Sequence, residues 1–164
     1  MIGRHTVGVL VANRFGVLAR VSGLFSARGF NIASLAVGET EDPSVSRMTI
    51  VVEADGPTLE QVKKQLNRLI DVIKVQELTS DGMVDRELIM IKVSISPETR
   101  TEILQIAEIF RAKVVDINQK SFIIEATGDE NKIVALVELL RPFGIKEVVR
   151  TGRIAVSRGP KTIA

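Results

Sequence analysis

Residues 5–39 read HTVGVLVANRFGVLARVSGLFSARGFNIASLAVGE, and this stretch decides the fold. The apolar run from His5 to Ala12 is typical of a buried strand. The apolar residues that follow recur at helical spacing: Val17, Leu18, Val21, Leu24 and Phe25. Gly29 is a natural residue to end that helix, and residues 31–39 are typical of a second strand. The segment therefore predicts strand, helix and strand in succession.

The rest of the chain continues this order and then repeats it. Strands are predicted over residues 46–54, 72–78, 87–96, 113–118, 121–127 and 145–151, and helices beginning at Asp55, Ser96 and Asp129. A linker is predicted over residues 79–82. Two β-α-β-β-α-β units indicate an α+β protein of two ferredoxin-like domains, residues 1–79 and 80–164.

Several predicted strands are apolar on both faces, as in residues 9–11, 50–52 and 122–124. That pattern is typical of sheets that are covered on both sides. A domain of about 75 residues is also marginally stable alone. Both observations favour an oligomer in which sheets or strand edges pair between chains.

The composition excludes most catalytic and metal chemistry. The chain has no cysteine, which rules out disulfides, cysteine zinc sites, iron–sulfur clusters and thiol nucleophiles. The single histidine, His5, has no acidic residue at a diagnostic spacing. No phosphate-binding glycine loop is present. Glu39, Glu41 and Asp42 form an acidic turn that either holds a cation through oxygen ligands or is simply solvated. We expect no active site and no metal site.

The charge distribution argues against nucleic acid as a partner. The net charge is +2, but residues 150–164 carry +4 and no acid, so the remainder is slightly acidic. The basic tail either contacts an acidic partner or is a solvated end. RNA binding on a sheet of this kind needs aromatic side chains on its central strands, and the only candidates are Phe30 at an edge and Phe122.

No segment approaches the roughly 20 apolar residues that cross a bilayer. The apolar run near the N-terminus is too short for a signal peptide. We therefore expect no membrane association and a cytoplasmic location.

The loop between the first strand and first helix is the candidate binding site. Gly16 leaves its amide unshielded at a helix N-terminus, where the amides of residues 16–18 and the helix dipole favour a carboxylate. Asn31 offers an amide oxygen to an ammonium group. Asn13 either caps the helix or contacts a ligand. With Val17, Leu18 and Ile32 as lining, this set suits an aliphatic α-amino acid. The alternative is that both asparagines are capping and turn residues.

The same segments carry a family resemblance. The matching stretches are residues 13–25, 28–35, 46–50, 65–66, 69–72, 86–88 and 157–159. Residues 13–25 resemble the ACT family of amino-acid-sensing domains, so the N-terminal domain is identified as an ACT domain. Nearly the whole chain resembles the small regulatory subunits of acetohydroxyacid synthase, also called acetolactate synthase.

The resemblance implies a regulatory protein without catalytic activity or a cofactor of its own. Such subunits bind a catalytic large subunit that carries thiamine diphosphate, Mg²⁺ and often FAD. They activate it and confer feedback inhibition by valine or another branched-chain amino acid in the biosynthesis of valine, leucine and isoleucine. The effector lies at the interface of a homodimer, between N-terminal ACT domains, at positions equivalent to Asn13, Gly16 and Asn31, with Val17, Leu18 and Ile32 adjacent. The alternative is a free-standing ACT-type sensor that controls another metabolic enzyme.

Overall fold

The computed structural model describes residues 1–79 and 82–163. The strands are β1 (Gly3–Ala12), β2 (Asn31–Glu39), β3 (Val45–Ala54), β4 (Val72–Glu77), β5 (Met83–Ser94), β6 (Lys113–Ile117), β7 (Ser121–Gly128), β8 (Ile145–Arg150) and β9 (Ile154–Ser157). The helices are α1 (Val17–Arg28), α2 (Gly56–Asn67), α3 (Arg100–Ile109) and α4 (Glu130–Leu140), followed by a 3₁₀ turn over Arg141–Phe143. The order β-α-β-β-α-β occurs twice, which confirms two ferredoxin-like domains.

The first unit comprises Met1–Val84 and the segment that begins at Arg153. Its antiparallel sheet has the order β2-β3-β1-β4. Alternate residues of the central strands point toward α1 and α2, because successive side chains of a strand face opposite sides. This core contains Val7, Val9, Val11, Val17, Val21, Phe25, Met48, Ile50, Val52, Leu59, Val62 and Leu66.

The second unit, Asp85–Gly152, repeats the arrangement with the strand order β6-β7-β5-β8. Its helices α3 and α4 bury one apolar stripe each against the sheet. The core here contains Ile89, Ile91, Val93, Ile103, Ala107, Phe122, Ile124, Ala126, Ile133, Leu136 and Leu140.

Two predicted helix starts are confirmed by capping hydrogen bonds, and one predicted helix end is confirmed by its backbone conformation. The Asp55 carboxylate accepts from the Thr58 amide at 2.8 Å and caps α2, and Asp129 accepts from the Lys132 amide at 3.0 Å and caps α4. Gly29 ends α1 in the left-handed conformation, with φ of 70°.

The predicted start of the third helix at Ser96 is wrong, because α3 begins at Arg100. The Ser96 amide donates to Thr99 Oγ1 at 2.9 Å, and the Thr99 amide donates back to the Ser96 carbonyl at 3.1 Å. These bonds close a turn over residues 96–99, since serine and threonine side chains compete with helical backbone bonding.

Residues 153–163, which we call the returning segment, lie on the face of the first sheet opposite α1 and α2. Buried Arg153 donates from Nη1 to Thr6 Oγ1 at 2.8 Å. Arg47 donates from Nη2 to the Ala155 carbonyl at 2.9 Å, and burial lowers the pKa of its guanidinium below the ordinary value. The segment is thus attached to the central strands β1 and β3.

Further contacts hold the remainder of the returning segment. Gln76 on β4 donates to Ser157 Oγ at 2.9 Å. Ile163 is only 5% exposed, and its Cδ1 atom lies 3.4 Å from the position that a Cβ on Gly8 would take. Strand β9 pairs with β5, whose first residues, Met83 and Val84, belong to the same unit.

This arrangement corrects two predictions about the C-terminal part of the chain. The tail is not a solvated end, because Arg153, Ala155 and Ile163 are buried. The division at residues 79 and 80 also differs from the structure, in which residues 153–163 pack with the first unit and not the second. The strands of the first domain that are apolar on both faces are therefore covered by α1 and α2 on one side of the sheet and by the chain's own tail on the other. Ser80 and Asp81 of the predicted linker lie outside the described residues.

Candidate functional site

Gly16 forms the N-terminal boundary of α1. Its φ of 83° lies in the left-handed region that glycine adopts without strain. No side chain caps the helix. The Val17 amide makes only a long bond of 3.4 Å to the Arg14 carbonyl. The first turn of a helix leaves amide donors without intrahelical partners, and the helix dipole makes this end favourable for an anion.

Asn13 attaches this loop to the turn between β2 and β3. Its side-chain amide donates to Glu39 Oε1 at 3.2 Å and to the Pro43 carbonyl at 2.9 Å, while its backbone amide donates to the Ser44 carbonyl at 2.7 Å. Asn13 therefore does not cap α1. The same turn contains Asp42, whose pKa is lowered by hydrogen bonds from the Ser44 hydroxyl and amide.

The two apolar residues after Gly16 have different surroundings. The Val17 side chain is 3% exposed and belongs to the core of the first unit. Leu18 is 47% exposed. Of this pair, Leu18 is the residue whose side chain is accessible at the surface.

Asn31 begins β2, with Ile32 beside it. The Asn31 amide nitrogen donates to Glu53 Oε2 at 3.2 Å, and Glu53 Oε1 accepts from Arg4 Nε at 3.3 Å. The bond to Glu53 uses one of the two N–H donors of the Asn31 side chain and leaves its oxygen as an acceptor. Ile32 is half-buried and packs against the core. The Asn31 end thus offers a side-chain oxygen and a nearby carboxylate, a combination that suits an ammonium group.

The six predicted site residues fall into two groups at opposite ends of α1. Asn13, Gly16, Val17 and Leu18 lie at its start, and Asn31 and Ile32 follow its end. The helix has 12 residues, so it is about 18 Å long. A free amino acid is much shorter than that distance. One chain therefore does not bring the two groups together around such a ligand.

The structure adds two charged residues that the sequence reasoning missed. Arg20 lies beside Gly16, since a Cβ on Gly16 would stand 3.2 Å from Arg20 Nη1. The spacing of four residues, one helical turn, is the signal that predicts this proximity. Glu53 lies opposite Asn31 through the pairing of β3 with β2, and no local sequence spacing indicates that contact.

His5 lies near the start of β1 and is partly buried. Its Nε2 atom is 3.1 Å from the Ala54 carbonyl oxygen, and its Nδ1 atom is 3.8 Å from Glu77 Oε1. Within residues 1–79 and 82–163, no three potential metal-ligating side chains are grouped so as to hold an ion. The helices of that same part of the chain are all too short or too polar to cross a membrane.

Two family models match the chain, one for each half. Residues 7–74 match the model described as AHAS small subunit-like ACT domain. Residues 86–159 match the model described as small subunit of acetolactate synthase.

Curated relatives and a solved structure agree with these matches. The chain is 57% identical over 158 residues to a probable acetolactate synthase small subunit of Archaeoglobus fulgidus, covering 96% of this chain and 99% of the relative. It is 54% identical over 159 residues to the acetolactate synthase small subunit of Mycolicibacterium smegmatis, covering 97% and 94%. The crystal structure of the acetolactate synthase small subunit from Thermotoga maritima superposes with a TM-score of 0.88 at 41% identity, covering 98% of this chain and all of that one.

Proposed function

The chain belongs to the family of acetolactate synthase small subunits, and we propose that it activates the catalytic large subunit and makes it sensitive to valine or a related branched-chain amino acid. As a member of this family it is a regulatory subunit with an ACT domain, and catalysis lies in the large subunit. The free-standing sensor is set aside because the small-subunit model also matches the second half, residues 86–159.

The main observation in support of the proposed effector site is the separation of Gly16 from Asn31 at opposite ends of α1. A ligand that uses both groups requires two chains: the α1 N-terminus of one protomer and Asn31 of its partner. The first group favours a carboxylate. The second offers the Asn31 side-chain oxygen to an ammonium, beside the Glu53 carboxylate, which is shared with Arg4. This charge pattern matches the two ends of an α-amino acid.

The apolar residues at the two groups match an aliphatic side chain. Leu18 is exposed at one group, and Ile32 is half-buried at the other. A ligand shared by two protomers stabilises one dimer geometry over others. A coupling free energy of about 1–3 kcal/mol changes the affinity or activity of a partner by about fivefold to 150-fold, which is enough for feedback control.

The proposal also covers the oligomeric state, location and cofactors of the protein. The chain acts as a homodimer in the cytoplasm and holds no cofactor of its own. Thiamine diphosphate, Mg²⁺ and FAD are expected on the large subunit. The returning segment and the second unit then serve stability or contact with that subunit.

Reconstitution with the large subunit tests this function. Adding the purified chain to the large subunit is expected to raise acetolactate formation severalfold and to make the reaction sensitive to L-valine. D-valine is the control, because it has the same charges and side chain but the wrong handedness for a bridging site. The proposal is contradicted if the two subunits do not co-purify, or if the reconstituted activity is equally insensitive to both enantiomers.

A further inference from the structure

An ion pair between Arg20 and Asp71 lies beside residues 13–16, which connect β1 to α1 and which we call the Gly16 loop. Arg20 Nε donates to Asp71 Oδ2 at 2.7 Å, and Arg20 Nη2 lies 2.6 Å from the same oxygen in an ion pair. The Asp71 side chain is 7% exposed and the Arg20 side chain 50% exposed. A buried carboxylate therefore holds a guanidinium whose other side remains accessible to solvent. Charge-assisted bonds of this kind are shorter and stronger than neutral ones.

Asp71 also contacts the end of β1 and the Gly16 loop that follows it. Its backbone carbonyl accepts from the Ala12 amide at 2.8 Å, at the end of β1. Its second carboxylate oxygen lies 4.0 Å from Arg14 Nη1, within the loop itself. One residue thus contacts the end of β1, the loop and α1, so that the orientation of Arg20 is determined together with that of Gly16.

The third nitrogen of the Arg20 guanidinium faces Gly16. Nε and Nη2 are used by Asp71, whereas Nη1 is the atom that a Cβ on Gly16 would meet at 3.2 Å. Nη1 therefore lies beside the glycine that bounds the helix N-terminus. The planar guanidinium remains charged at physiological pH and presents its donors in a fixed direction.

We propose that Arg20 is the cation that recognises the effector carboxylate, and that Asp71 is the positioning residue that directs its Nη1 donor toward Gly16. The inference rests on the proposed effector site and adds to it the group that distinguishes a carboxylate from a neutral amide. Backbone amides donate to either group, and the helix dipole adds only a partial positive charge in favour of the carboxylate, whereas a guanidinium carries a full positive charge.

The test compares L-valine with L-valinamide, which lacks the negative charge, by calorimetry on the full-length protein. A hydrogen bond to a charged group contributes about 1.5–3 kcal/mol, so the wild type is expected to bind valine about tenfold to a hundredfold more tightly than valinamide. The double variant Arg20→Met, Asp71→Asn removes both charges without leaving Asp71 buried and unpaired. We expect it to lose most of the preference for valine.

Two further variants separate recognition from general damage. Arg20→Lys keeps the charge but loses the fork, so its preference is expected to be intermediate. Arg100→Met removes an exposed arginine from the start of α3 in the second unit and is expected to leave the preference unchanged. If circular dichroism shows that the double variant is unfolded, the preference of Arg20→Lys for valine over valinamide decides the test, because this variant preserves the ion pair with Asp71.

Each outcome decides between the two proposals. If the wild type binds neither valine nor the other branched-chain amino acids, the proposed effector site fails and the role of Arg20 fails with it. If the wild type binds valine but the ratio of valine to valinamide affinity is unchanged in the folded Arg20 variants, the effector site stands and the role of Arg20 is overturned.

Discussion

Gly16→Asp is expected to abolish the proposed feedback by valine while the reconstituted enzyme remains activated. The substitution introduces a carboxylate at the site proposed for the effector's own carboxylate, on a residue whose Cβ would stand 3.2 Å from Arg20 Nη1. The new side chain pairs with the groups that the effector needs and repels the effector's negative charge. We expect an increase of at least a hundredfold in the valine concentration that inhibits, because both charge recognition and access are lost.

Gly16→Ala is the matched control for the backbone. Any side chain at φ of 83° carries a conformational cost, about 1–2 kcal/mol for an L-residue in the left-handed region. Alanine introduces this cost and the close contact with Arg20 but no charge. Valine titrations of both variants separate the two effects: the electrostatic explanation is wrong if alanine and aspartate raise the inhibitory concentration equally.

Removal of residues 153–164 is expected to unfold the first unit or to leave it marginally stable. Uncovering the buried Ile163 side chain costs about 1.5–3 kcal/mol. The hydrogen bonds from Arg153, Arg47 and Gln76 contribute about 1 kcal/mol each. The total is a large part of the 5–15 kcal/mol that stabilises a typical domain. Urea unfolding monitored by circular dichroism is expected to show an early transition in the shortened protein.

A milder pair of variants tests the same packing without a truncation. Ile163→Ala is expected to lower the free energy of unfolding by about 2–4 kcal/mol, since the side chain is buried. Ile154→Ala, the same substitution at a position of this segment that is 57% exposed, is expected to change it by less than about 1 kcal/mol. Equal effects of the two substitutions, or none from Ile163→Ala, contradict the account of the returning segment as part of the first domain.

The features that the sequence predicted well are those with local chemical causes. Asp55 and Asp129 cap helices through bonds to residues three positions away, and Gly29 ends a helix through its own backbone freedom. Such interactions lie within one turn, so the residue types alone indicate them. The repeated β-α-β-β-α-β order follows in the same way, because hydrophobic periodicity is also a local pattern.

The features that the sequence did not predict depend on contacts between distant positions. Arg153 reaches Thr6 across 147 positions, and no local pattern signals that the tail returns to the first sheet. Glu53 meets Asn31 only through strand register. The assignment of Val17 to the lining of a binding site has a different weakness. The helical periodicity that includes Val17 in the apolar stripe of α1 already indicates a position in the core.

The effector is proposed to bind between two chains, and a mixed dimer tests this arrangement most directly. Co-expression of Gly16→Asp with Asn31→Ala under different affinity tags yields a heterodimer. If each site uses Gly16 from one protomer and Asn31 from the other, one site carries both substitutions and the second is intact. Calorimetry is then expected to show one valine per heterodimer at wild-type affinity, whereas both mutant homodimers bind poorly. A heterodimer as deficient as its parents, with a wild type that binds normally, contradicts the claim.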